Sequence, residues 1–101
     1  MKGTEKQVAW ATDIQARVLE IMDKALGIME SQPDQPGKAQ AIAEIYERRK
    51  RVANAEEASD IIDLFRGIKV TGDLAKDWSR LRSVYRITYA NTPAQHYILM
   101  K

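Results

Sequence analysis

A chain of 101 residues has the size of one domain, since chains divide only well above this length. Hydrophobic residues make up 45% and charged residues 30%, the balance of a folded soluble protein and too apolar for a disordered one. The net charge is +2 and there is no cysteine, which removes disulfides, thiolate metal sites and cysteine nucleophiles together. No apolar run approaches the length of about 18 residues that spans a bilayer, and no signal-peptide core opens the chain, so an intracellular, cytoplasmic protein is expected.

The first predicted helix runs from Glu5 to Ser31. Thr4-Glu5-Lys6-Gln7 has the capping-box pattern, in which Thr4 and Gln7 each satisfy the other's backbone N–H. Ala11, Ile14, Val18, Ile21, Ala25 and Ile28 then recur at spacings of three and four, an a/d seam, and Met22, Leu26 and Met29 widen the apolar face near its end. Trp10 sits one residue off this seam. It is read as a side anchor against a later helix, the other reading being an exposed aromatic at an interface. At 1.5 Å per residue the helix reaches roughly 40 Å, a seam long enough to suggest either a hairpin within one chain or a homodimer along the first helix.

"SQPDQPGK" is a turn, with two prolines and a glycine. A second helix is expected from Lys38 to Ala53, with Ala41, Ile42, Ile45, Tyr46, Val52 and Ala53 as its apolar positions. Asn54-Ala55-Glu56-Glu57 repeats the capping pattern, so a third helix is placed from Ala55, or fused to the second, with Ala58, Ile61, Ile62 and Phe65 as its buried stripe. Gly67 is expected in the left-handed position that ends it, followed by the apolar Ile68. Asp73 caps a fourth helix carrying Leu74, Trp78, Leu81, Tyr85 and Thr88, which ends near Tyr89. Thr92-Pro93-Ala94-Gln95 opens a short C-terminal helix that would bury Tyr97 and Ile98. The fold class is therefore all-α: a single domain over residues 1–101, with four helices plus a short C-terminal one in a bundle or hairpin.

Chemistry-bearing patterns are sparse. The one histidine, His96, has no partner ligands at metal spacing and reads as packing or surface. Glu56/Asp60 and Asp60/Asp63 stand at helical spacings, which could share a proton or bind a hard cation, but a solvated acidic face accounts for them. No phosphate-binding glycine loop and no nucleophile context is present. The expectation is a protein that is not an enzyme and uses no cofactor and no metal.

Charge distribution is more informative. Lys38–Arg51 holds five basic and two acidic residues, Asn54–Asp63 four acidic and no basic ones, and Lys76–Arg86 four basic and one acidic. Arg48, Arg49, Lys50 and Arg51 cover most of one turn, and on the fourth helix Lys76/Arg80 and Arg82/Arg86 pair at i, i+4. With Tyr46 and Tyr85 beside them, and Tyr89 further along, these residues form the candidate binding surface. It suits the phosphates of DNA or RNA or an acidic protein surface, for which arginine and tyrosine are hot-spot residues. The plainer reading pairs the arginines with the Glu56–Asp63 acids across the turn between the second and third helices, or leaves them simply to solvate the surface.

"GTEKQVAWATDI" resembles the N-terminal signature of a family of small proteins of Gram-positive bacteria and their phages. That signature runs Gly-(Ser/Thr)-Glu-Lys-Gln, an apolar residue, Ala-Trp-Ala and an acidic-apolar pair. "TPAQHYILMK" is similar to that family's closing motif, with His96 where an aromatic is usual. The two stretches cover about twenty residues. The resemblance carries no catalytic residues. It implies an accessory gene of a phage or mobile element, and action by stoichiometric binding to a host protein or protein–nucleic-acid complex. An inhibitor of the anti-CRISPR or anti-defence type, an adaptor, or a nucleic-acid coat all fit that setting.

Overall fold

The computed structural model describes residues 1–34 and 36–85. It is all-α over these residues, with no strand among them: α1 (Glu5–Ser31), α2 (Lys38–Ala53), α3 (Ala58–Phe65) and α4 (Leu74–Tyr85). The expected C-terminal helix, the end of the fourth helix near Tyr89, and Arg86 and His96 lie outside the described residues.

α1 starts where its capping box predicts. The Gln7 N–H donates to Thr4 Oγ1 at 3.1 Å, and the Thr4 N–H donates to Gln7 Oε1 at 3.0 Å. Two of the helix's orphan amides are thereby satisfied. Ala11, Ile14, Val18, Ile21 and Ala25 are buried, as the seam requires. Towards the C-terminus the buried face turns to Met22, Leu26 and Met29, while Ile28 is only half-buried. That turn follows the position of α2, which folds back along this half of α1. The antiparallel pairing is fixed by Gln15 Nε2 donating to the Val52 carbonyl at 2.7 Å, Arg49 meeting Asp23, and Tyr46 meeting Glu30. Gly37, at φ 83°, makes the left-handed corner that lets the chain reverse.

α3 begins three residues later than its sequence pattern suggests. Asn54 does not cap it: the Asn54 backbone N–H and side-chain amide both donate to the Lys50 carbonyl, each at 3.0 Å, so Asn54 closes α2 instead. The cap position of α3 falls on Glu57, which supplies no side-chain bond. The first amide of α3, on Ala58, is satisfied from 56 residues away by the Lys2 carbonyl at 2.7 Å. α2 and α3 are thus separate helices. Gly67 also departs from expectation. It is absent from the glycines with positive φ, and the chain instead closes a right-handed turn in which the Ile68 N–H donates to the Phe65 carbonyl at 2.9 Å. Ile68 is buried, as its apolar character requires.

α4 is capped by Asp73, whose Oδ1 accepts from the Lys76 N–H at 3.2 Å. It buries Trp78 and Leu81 in the common core with Ile14, Ile21, Ile45 and Phe65. The Trp78 Nε1–H is buried without an acceptor among the described residues. Asp77, unremarked in the sequence, is buried and ties α4 to the preceding loop: its carboxylate accepts from the Thr71 N–H at 2.9 Å and from the Thr71 hydroxyl at 2.6 Å. All three shorter helices pack on α1, and α3 also touches α4. The a/d seam of α1 is covered by its own chain, so a homodimer along α1 would have to use its outer faces.

Hydrogen bonds to a charged group contribute about 1.5–3 kcal/mol each, and a buried partner left unpaired costs more. Asp77→Ala is therefore expected to lower the unfolding free energy by roughly 2–3 kcal/mol. Urea unfolding with an unchanged m-value checks this.

Candidate binding surface of α2 and α4

The basic run of α2 splits in three directions because successive residues on a helix lie 100° apart. Arg48 turns towards α4. Its guanidinium carbon lies 5.0 Å from the Tyr85 ring centroid, a cation–π contact. Arg49 turns to the opposite side and is bidentate to Asp23 of α1, at 2.6 and 3.2 Å. The charge-assisted bonds to Asp23 raise the Arg49 pKa further above its ordinary value. Arg51 is exposed and donates to Glu47 one turn back at 2.6 Å. Arg49 and Arg51 thus pair with Asp23 and Glu47 and not with the acidic stretch Glu56–Asp63. The hairpin register that brings Asp23 under Arg49 depends on residues 26 positions apart and leaves no local signal.

On α4, Arg82 is half-buried and has an interaction partner, while Lys76 and Arg80 are exposed. Lys50 of α2 is exposed as well. Lys50, Lys76 and Arg80 form no ion pair with another described residue. Tyr85 is held from two sides. Phe65 meets its ring edge-on, with centroids 5.1 Å apart at 76°, and Arg48 lies over its face. The structure therefore brings together Arg48, Tyr85 and the α3 core, and separates them from Arg49 and Tyr46.

Tyr46 is 50% exposed, and its hydroxyl donates to Glu30 at 2.6 Å. It is an aromatic on the α1–α2 side of the hairpin, among the acids Glu30 and Asp23, and not beside the α4 cations. Its expected place in an apolar stripe is not realised.

Trp10 is 48% exposed and not the buried side anchor expected. It shares one face of α1 with Asp13, Arg17 and Glu20, at spacings of three, four and three. Asp13, Arg17 and Glu20, with Ala16, Lys69 and Val70, line an open groove of about 530 Å³. Arg17 holds Asp13 and reaches the Ile68 carbonyl, which fixes the groove's wall against the loop. The loop's approach to α1 is a tertiary feature, and the sequence marks this side only by placing a tryptophan on a charged stripe.

The acids Asp60 and Asp63 stand exposed on α3, but Glu56 precedes the helix, so the expected Glu56/Asp60 helical pair is not formed. Among the described residues no three His, Asp or Glu side chains converge as a metal-ligand set, and no helix is long and apolar enough to cross a membrane. No family model, no curated protein and no solved structure matches the chain.

The Tyr46 hydroxyl is held above its ordinary pKa of 10.0, first because it donates a hydrogen bond to Glu30 and then because partial burial and the Glu30 charge disfavour the phenolate. The bond is intact below pH 10 and breaks as the pH rises through the raised value. Glu30→Gln is expected to move the Tyr46 titration down towards that of an exposed tyrosine. Ultraviolet absorbance of the phenolate, with Tyr46→Phe identifying the signal, checks it.

Proposed function

We propose that this protein acts without catalysis, by stoichiometric binding to a macromolecular partner, as an inhibitor or adaptor. The observation that carries the reading is the Arg48–Tyr85 contact. Two residues of types enriched at interface hot spots, from helices 37 positions apart, meet at one half-buried point where α2 joins α4. Tyr85 is braced by Phe65, so the pair is ordered before a partner arrives and loses little side-chain entropy on binding. The exposed Trp10 adds a second aromatic of interface type on another face. The N-terminal resemblance supports a phage or mobile-element setting, and with it a cytoplasmic host protein or protein–nucleic-acid complex as partner. An anti-defence inhibitor of the anti-CRISPR type is one member of that class.

A second reading is direct nucleic-acid binding through phosphates. It is favoured by Lys50, Lys76 and Arg80, which are exposed and carry no ion pair to another described residue. These would give a modest salt dependence, because affinity falls with salt in proportion to the phosphates neutralised. The arginines already paired, Arg49 and Arg51, weigh against a larger one.

Capture from a host lysate separates the readings. The protein-binding reading predicts a partner retained after nuclease treatment and lost with Arg48→Glu, whose fold is checked by its melting curve. Capture that disappears with nuclease, together with retention of a random duplex at about 50 mM salt, would favour the nucleic-acid reading instead.

A further inference from the structure

We infer that residues 1–3 form a strap that holds α3 closed and through it sets the Tyr85–Arg48 contact. Four observations lead there. The Lys2 N–H donates to the Glu56 carbonyl at 2.6 Å, and the Lys2 carbonyl accepts from the Ala58 N–H at 2.7 Å, a short parallel bridge between the chain's start and the entry of α3. Gly3 follows at φ +147°, a conformation that side chains rarely adopt. A Cβ there would stand 3.0 Å from Ala58 Cβ and 3.2 Å from Gln7 Oε1. The strap therefore lies directly against α3 at a position that only glycine permits. α3 itself has eight residues and no side-chain cap, too short to persist without tertiary support. At its far end Phe65 packs on Tyr85, which carries Arg48.

The chain of contact is continuous. Lys2 supplies the bond α3 lacks at its start, α3 positions Phe65, and Phe65 braces the tyrosine under the arginine. Release of the strap leaves the first amide of α3 without an acceptor and favours opening of this helix ahead of α2, whose contacts with α1 do not involve residues 1–3. The "GTEKQ" stretch thereby becomes one device: Gly3 for the close approach, Lys2 for the bridge, Thr4 and Gln7 for the cap of α1. The mechanical claim stands on contacts alone, and only its consequence for binding rests on the reading of Arg48 and Tyr85 as partner contacts.

Native-state hydrogen exchange on the full chain tests it, with two variants. Lys2→Pro removes the N–H that donates to Glu56, and a chain that begins at Gly3 removes the bridge altogether. Expected is exchange about 10-fold faster at the amides of Ile61, Ile62 and Phe65 in the truncated chain, less in Lys2→Pro, with α2 amides unchanged and the Tyr85 ring resonances shifted. Equal loss of protection in α2 and α3, or unchanged protection in α3, would overturn the strap. Faster exchange in α3 with unmoved Tyr85 resonances would overturn its link to Arg48. No partner is used, so failure of the binding proposal leaves this result unaffected.

Discussion

A helix of 27 residues with one apolar face cannot stand alone in water, and covering that face organises everything else in this protein. α2 covers the C-terminal half, α3 and α4 the rest, and the side chains they bring meet in one core around Ile14, Ile21, Ile45, Phe65, Trp78 and Leu81. Removing water from apolar area at roughly 25 cal/mol per Å² is the main favourable term available to a domain with no disulfide and no metal ligand of the thiolate type. The polar contacts act on top of it as selectors. Gln15 on the Val52 carbonyl and Arg49 on Asp23 fix the register of the hairpin, and Asp77 on Thr71 fixes the angle at which α4 departs. The exposed ion pairs, such as Arg51–Glu47, contribute little to stability and leave that work to the core.

The same arrangement decides which cations remain exposed at the surface. Residues 48 to 51 look like one basic patch when read along the chain, but a helix distributes them around its axis. Asp23 takes Arg49, Glu47 takes Arg51, and Tyr85 takes Arg48. What reaches solvent as unpaired charge is smaller than the sequence suggests, and what is preorganised is a cation on an aromatic ring. For the binding role proposed above, this favours recognition by shape and by a few ordered contacts over bulk electrostatics.

Elements whose cause is local were legible in the sequence. The Thr4–Gln7 capping box needs residues three apart, the α1 seam needs only its own periodicity, and Asp73 caps the helix that follows it directly. Elements whose cause is distant were not. Asn-Ala-Glu-Glu fits a helix start and equally a helix end; Lys2, far away in sequence, decides between them by satisfying Ala58. Gly67 allows a left-handed residue without requiring one, and the Ile68–Phe65 turn takes the right-handed path. Trp10 lies one position from a seam, close enough to be read as a packed side anchor, yet the residue stays half exposed. For the candidate surface, the residue types were legible on α2 and α4, and their meeting at Arg48 and Tyr85 was not, because it depends on how both helices sit on α1.

The apolar face of α1 is covered by its own chain. Sedimentation equilibrium across micromolar concentrations measures whether a second copy competes for that face. A single species of 11.5 kDa is expected at every concentration. A mass that rises towards twice this value with concentration, and falls back when Val18 and Ile21 are shortened to alanine without loss of helicity, would contradict it and return the seam to a second copy.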